Sequence, residues 1–458
     1  MARLLYTLAA IALLPWAALH LLWRARRQPE YLQHWAQRFG IFGAAGGRDP
    51  ARPTIWLHAV SVGETRAAQP LVAVLRERFP GHRILFTHMT PTGRATSEAL
   101  FGDGVERIYL PYDTPWAMRG FLRHYGPQFG LIMETELWPN LIAACEQGGV
   151  PLSLVNARLS ERSAKRYASF PALTREALQG LVAIGAQTAS DAARLTALGA
   201  QGVTVTGNVK FDIEAPAAQL ELGRELRARC RERPVWLAAS TREGEEALIL
   251  AAWHGALKKV MQSGIPLRDG AGRSGEFAEH CSAPAQPAGC AKPAVEMTAL
   301  LIIVPRHPQR FEEVARLVAE HGFALQRRSE SSAIEATTDV LLGDSMGEMF
   351  AYYAAADVAF IGGSLLDFGS QNLIEAAACG TPILIGPSTR NFAEAAREAV
   401  ACGAALAIRN ADDLVAQVSA MLSDEPSRMR MGDAGRAFAE RHRGATARTL
   451  EMLNPAAR

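Results

Sequence analysis

The feature that most narrows what this chain can fold into is a rhythm, met twice, in which a short apolar run precedes a longer helical stretch. TIWLHAV (54–60) leads into a helical pattern over residues 67–78, and HRILFTH (82–88) leads into another after Thr92. The alternation continues through RIYLPYD, FGLIMET, PLSLVNA, LVAIGAQ and VTVTGN. Such alternation is the mark of βαβ units, whose strands pair in parallel and are covered on both faces. After Phe211 the chain turns polar and helical, and the rhythm restarts with PVWLAAS, LLIIVPR, DVLLGD, DVAFIGG and PILIGP. An α/β fold with two Rossmann-like domains facing a cleft is expected, residues 24–214 and 215–458, joined near 208–218. Residues 263–297 break the pattern: rich in Gly, Pro, Ala and Ser, they read as a disordered insertion between a helix and a strand, with Cys281 and Cys290 as incidental thiols inside it.

Ahead of the first domain stands LLYTLAAIALLPWAALHLLW (4–23), 20 residues without an acid or a fixed positive charge, followed by Arg24, Arg26 and Arg27. As one helix it covers about 30 Å, the thickness of a bilayer's hydrocarbon core, and the trailing arginines place the remainder on the cytoplasmic side. Residues 1–23 therefore read as a membrane anchor. A cleaved signal peptide fits less well, because arginines stand where a small-residue cleavage site belongs. An interfacial helix bent at Pro15 is the variant reading.

Composition excludes several classes. With 49% hydrophobic and 21% charged residues the chain is neither mainly disordered nor a multi-span transporter. The net charge is +2, but residues 1–214 hold 22 Lys and Arg against 16 Asp and Glu, and residues 215–458 hold 26 against 30. That modest basic excess suits an anionic partner for the first half and is too dispersed for nucleic acid. Six cysteines without a CxxC pair or a Cys/His cluster at zinc spacing indicate neither a disulfide framework nor a structural metal, and fit a reducing compartment.

Ligands of open α/β sheets bind outside the carboxyl ends of the strands, so the loops there carry the functional reading. After TIWLHAV, Ser61-Val62-Gly63-Glu64 puts a carboxylate on the first turn of a helix. FGLIM runs into Glu134-Thr135-Glu136-Leu137-Trp138-Pro139-Asn140, a second acid at a strand end. One acid can serve as general base while the other positions a hydroxyl or stabilises positive charge. In the second half, Arg242 and Arg306-His307 follow strands. Gly343 to Glu348, including Met346 and Gly347, reads as a turn with backbone N–H groups free for a single phosphate. Gly362-Gly363-Ser364 follows the next strand. Asn372 and Glu375 lie three apart on one helix face, where the glutamate can chelate ribose hydroxyls.

These residues also carry a resemblance. HAVSVGE (58–64), ETELWPN (134–140), NARLSERS (156–163), GNVKFD (207–212), PRHPQRF (305–311), GDSMGEM (343–349) and the GGS…QNLIEAAACGTPILIGP block (362–387) closely resemble 3-deoxy-D-manno-octulosonic acid (Kdo) transferases, in the same order over nearly the whole chain. The resemblance implies the glycosyltransferase B-type fold, CMP-Kdo as donor, and transfer to a lipid A precursor at the cytoplasmic face of the inner membrane. It implies that Glu64 is the proton acceptor and that Glu134 and Lys210 stabilise the transition state. It also assigns Arg306, His307, Met346, Gly347, Glu348, Asn372, Leu373, Ile374 and Glu375 to CMP binding. Asp367 to Gln371 stands where relatives usually carry a histidine- and glycine-rich run.

The implied chemistry suits the residues present. CMP leaves with one phosphate, which a helix N-terminus with Arg242 or Arg306 nearby can balance, so no metal or other cofactor is expected, in keeping with the lack of an Asp-x-Asp site at a strand end. The acceptor's phosphates are expected to meet cations of the first half, Arg66, Arg94, Arg158 and Arg162. Two alternatives compete with this reading. Another B-type enzyme using a UDP-sugar should show a diphosphate-binding glycine-rich first turn and a late UDP signature, and neither is present. A catalytically silent tethered binding protein should have lost acids that this chain keeps.

Overall fold

The computed structural model describes residues 1–43, 46–262, 299–330 and 333–453; the expected insertion at 263–297 lies outside them. The chain forms two units, Met1–Ile213 with His442–Arg458, and Glu214–Arg441. Each unit is built on a seven-stranded sheet.

In the first unit the strands are β1 (Thr54–His58), β2 (Arg83–His88), β3 (Glu106–Tyr109), β4 (Pro127–Met133), β5 (Leu152–Ala157), β6 (Ala183–Ala186) and β7 (Val203–Val205). They lie in the order β3-β2-β1-β4-β5-β6-β7, every neighbour parallel. β1 is buried along its whole length, as expected of a central strand covered on both faces. Its side chains alternate: Trp56 enters one hydrophobic layer with Phe121, Ile132 and Leu154, while Ile55 and Leu57 enter the opposite one with Leu71, Phe86 and Leu131. Trp56 fits because β4 carries Gly130 beside it; a Cβ there would stand 2.4 Å from the indole ring.

The chain winds β1-β2-β3 to one side and then returns to lay β4 on the other flank of β1. That reversal opens a crevice outside the carboxyl ends of β1 and β4, the position where such sheets bind ligands.

The second unit repeats the plan with β8 (Val235–Thr241), β9 (Leu300–Pro305), β10 (Leu325–Arg327), β11 (Val340–Leu342), β12 (Val358–Ile361), β13 (Ile383–Ile385) and β14 (Ala405–Ala407). The order is β10-β11-β9-β8-β12-β13-β14, so here the reversal falls between β8 and β12. Trp236 from β8 and Phe360 from β12 share a core with Trp253, Leu414 and Val418.

Two features differ from the sequence expectations. The second domain was expected to run to residue 458, whereas the chain returns to the first unit at His442. Local spacing carries no trace of the contacts that bring it back. Asp212 accepts hydrogen bonds from the Gly444 and Thr446 amides. Arg448 Nε donates to the Thr206 carbonyl at 2.8 Å, His442 stacks on Phe211, and Ala445 and Leu450 complete a core layer of the first unit.

The apolar run, expected as one helix, forms two, Ala2–Ala12 and Leu14–Ala25, bent by 45°. Pro15 is the physical cause, since it lacks the N–H for the i−4 bond and its ring crowds the carbonyl one turn back. Among the described residues no single helix is long and apolar enough to cross a membrane, though the bent pair passes by length and composition together. Leu4, Leu5, Leu8, Trp16, Leu19, Leu22 and Trp23 are exposed on it.

Candidate active site

The crevice of the first unit gathers the predicted acids. Ser61 caps the helix Val62–Ala67, its Oγ accepting from the Glu64 amide at 3.3 Å. In return the Glu64 carboxylate accepts from Ser61 Oγ at 2.8 Å and from the Val60 amide at 2.7 Å. This reciprocal capping box fixes Glu64 at the mouth of the crevice. Its side chain is buried, and burial, reinforced by the charge of Glu134 and opposed by the bonds from Ser61 and Val60, pushes its pKa up to about 7.

Glu134 follows β4, with its amide bonded to the Val155 carbonyl of β5 and its carboxylate 3.1 Å from Lys210 Nζ. Lys210 stands on the short 3-10 helix Val209–Asp212. That helix is held from two sides: Asn156 Oδ1 accepts from the Val209 amide at 3.1 Å, and Asn208 Oδ1 accepts from the Lys210 amide at 3.0 Å. An open cavity lined by Glu64, Glu134, Glu136, Arg158, Ser160 and Tyr167 occupies the crevice. Three carboxylates and a guanidinium thus face one space, suited to accepting a proton and to holding hydroxyl groups, with Arg158 on its wall as a cation for an anionic group.

Sequence reading singled out Glu64, Glu134 and Lys210, and the structure brings them together. Of the four arginines offered for the acceptor, Arg158 lines the cavity. Arg66 and Arg162 are exposed and do not line it. Arg94 is turned to the far side of β2, where it donates to the Arg107 carbonyl at 2.8 Å, pairs with Glu98 and lies over the Tyr109 ring.

Glu136 and Asn156 were missed. Glu136 was visible within ETELWPN but not distinguishable from Glu134, and burial raises its pKa as well. Glu134 (φ 58°) and Asn156 (φ 55°) both hold left-handed backbone, as does Ser240 (φ 54°) in the second unit. Such strain gathers at functional strand ends; only asparagine, which tolerates this region, gave a hint of it in the sequence.

In the second unit the loops after β8 and β12 are tied by one side chain, Glu245, fully buried on the helix Glu245–Gln262. Its carboxylate accepts from the Arg242 amide at 2.8 Å, the Gly363 amide at 2.6 Å and the Leu365 amide at 2.9 Å. Gly362 must be glycine in this arrangement, because a Cβ would lie 2.6 Å from the Ser240 carbonyl. Arg242 Nη1 is 2.8 Å from His307 Nε2 and its guanidinium covers the Phe368 ring at 4.7 Å, while Arg306 Nε donates to Gln371 Oε1 at 3.1 Å. The segment that departs from the usual pattern, 367–371, therefore supplies a partner to each of the two arginines. Burial, then Arg242, Arg306 and Arg310, pushes the His307 pKa down, which leaves a neutral imidazole among cations, an environment that favours an anion.

Asn372 Nδ2 donates to Glu375 Oε1 at 3.1 Å and its Oδ1 accepts from the Ile374 amide, so the pair forms at the start of the helix Ile374–Cys379. Leu373 and Ile374 are core residues behind it. Met346 is exposed, Gly347 takes φ 84°, and Glu348 turns back to Ser345 Oγ at 2.7 Å and to Arg328. Among the described residues no three His, Cys, Asp or Glu side chains are grouped as metal ligands.

Two parallel seven-stranded α/β units with polar sites at their switch points are the parts of a B-type glycosyltransferase. The family model described as 3-Deoxy-D-manno-octulosonic-acid transferase (kdotransferase) matches residues 33–213, and Glycosyl transferases group 1 matches 320–438. A 3-deoxy-D-manno-octulosonic acid transferase of Bordetella pertussis is 44% identical over 99% of each chain. One of Haemophilus influenzae is 36% identical over 94% of this chain and 92% of its own. The chain belongs to the 3-deoxy-D-manno-octulosonic acid transferase family and is a glycosyltransferase. Among solved structures, the UDP-GlcNAc 2-epimerase of Neisseria meningitidis shares the fold, with TM-score 0.55, 14% identity and coverage of 87% of this chain and 99% of its own.

Proposed function

We propose that the protein transfers Kdo from CMP-Kdo to a lipid A precursor at the cytoplasmic face of the inner membrane, by a direct, inverting and metal-independent displacement. The observation that carries the reading is Glu64: a buried carboxylate, titrating near 7, at the switch point of the first unit and facing the same cavity as Glu134. A base is most effective when its pKa lies near the working pH.

The acceptor hydroxyl attacks the anomeric carbon as its proton passes to Glu64. The bond from that carbon to the phosphate oxygen breaks, and CMP departs with the electron pair. Positive charge on the sugar carbon, which bears a carboxylate and no hydrogen, is met by the acids of the crevice, with Lys210 holding Glu134 in place. Arg242 and Arg306 offer the departing phosphate its countercharge with the His307 ring beside them, and Asn372 with Glu375 offers partners to the ribose hydroxyls. The exposed leucines and tryptophans of residues 4–23, with Arg24, Arg26 and Arg27 behind them, support residence on an anionic membrane surface.

The test supplies a CMP-Kdo-generating system and tetraacylated lipid A precursor and weighs the lipid products. A mass gain of Kdo is expected; its absence would remove the assignment. Glu64→Gln should lower turnover by about 10²–10⁴ with CMP affinity unchanged by calorimetry. In the wild type the rate should fall on the acid side of about pH 7, as Glu64 takes up a proton and can no longer act as base. A Gln variant that keeps its turnover would show that the base lies elsewhere.

A further inference from the structure

The helix Ala2–Ala12 has two unlike faces. Leu4, Leu5 and Leu8 are exposed, whereas Arg3, Tyr6 and Thr7, spaced at i, i+3 and i+4 and so on one side, are each matched to a polar group of the first unit. Arg3 pairs with Glu176 at 3.0 Å. Tyr6 Oη donates to Asp113 Oδ2 at 2.9 Å, and Thr7 Oγ1 lies 2.8 Å from Asn140 Oδ1. The last two partners are buried and bound to each other. Asp113 accepts from the Asn140 amide at 3.0 Å and the Leu141 amide at 2.8 Å, and Asn140 Nδ2 donates to the Asp113 carbonyl at 2.8 Å. Asp113 thus serves the first amides of the helix Pro139–Gln147 from outside it, lying against donors that lack a helical partner and favour a negative charge. The loop from Glu134 to Trp138 runs directly into that helix.

We infer that Asp113 and Asn140 are positioning residues that join the N-terminal helix to the loop carrying Glu134, so that this helix is part of the acceptor-side scaffold and not a separate tether. The inference takes from the proposed function only what lies against the leucine face, a lipid surface; the join itself stands on the hydrogen bonds. A helix held flush by three polar matches along one side lies on the unit that it serves. Lipid contact at its outer face and the placing of Glu134 are then functions of one rigid piece. The polar stripe has this physical reason: an isolated helix in hydrocarbon would leave Arg3 and Tyr6 without the partners they have here, and Thr7 with only its bond to the Arg3 carbonyl of its own helix.

Tyr6→Phe with Thr7→Val removes the join while keeping shape and apolar content. Four readouts decide: sedimentation with mixed phosphatidylethanolamine and phosphatidylglycerol vesicles, CMP affinity, acceptor KM and kcat, and amide exchange of residues 134–141 in detergent. The double variant should still sediment with vesicles and bind CMP as the wild type does, should exchange at 134–141 about fivefold faster or more, and should show acceptor KM raised by a similar factor. Unchanged exchange, or faster exchange without a change in KM or kcat, overturns the positioning role. A wild type that fails to sediment with vesicles would defeat the membrane reading alone, and the exchange and KM shifts in detergent would still decide the join.

Discussion

At the scale of single residues, protonation is what the two sites have in common, and its direction differs between them. Burial raises Glu64 and lowers His307; each is pushed toward its uncharged form in the free protein. A phosphate arriving beside His307 reverses the balance set by Arg242, Arg306 and Arg310, so binding should draw a proton onto the imidazole. By linkage, CMP affinity then rises as pH falls through the histidine range, by up to about tenfold per pH unit if a full proton is taken up. The phosphate itself titrates near 6, so the expected signature is a difference: calorimetry from pH 5.5 to 8 should give a shallower slope for His307→Gln than for the wild type. Equal slopes would place the phosphate away from His307.

At the scale of elements, what the sequence made legible was whatever is encoded by neighbours along the chain. Strand ends could be read, because alternating apolar runs stop where polar residues begin, and Glu64, Glu134, Arg242 and Arg306 were found by that rule alone. Groups whose role is tertiary stayed hidden. Glu245 looks like any acid in the first turn of a helix, yet it closes three amides from two loops that are 118 or more residues apart from it on one side and adjacent on the other. The Tyr6 and Thr7 stripe was present in the apolar run and could have been noticed as polar groups at helical spacing. The return of residues 442–458 left no local mark. Glu245→Gln puts an amide N–H₂ against a backbone donor and should cost about 2–4 kcal/mol in urea unfolding while weakening CMP binding, since one remaining oxygen cannot serve the Arg242 and Gly363 amides and the Leu365 amide together. Weakened stability with unchanged CMP affinity would separate that carboxylate from the nucleotide loops.

At the scale of the whole molecule, the docking of Asp212, Thr206 and Phe211 against residues 442–448 has a consequence for how the chain can be divided. The second unit is spliced into the first, leaving and re-entering it at 213/214 and 441/442. A protease site placed between Ala215 and Pro216, in an exposed stretch, should after cleavage give two bands under denaturing conditions and one species in gel filtration, because the downstream fragment still carries the segment that completes the upstream core. Adding Arg448→Ala and Asp212→Ala should let the fragments part; separation without those changes would refute the clasp. The same splice bears on inheritance. A single genetic crossover cannot exchange one unit for a homologous one intact, since it would pair a foreign last helix with a resident core; clean exchange takes two crossovers, and the pairing of final helix with first unit travels as one inherited trait.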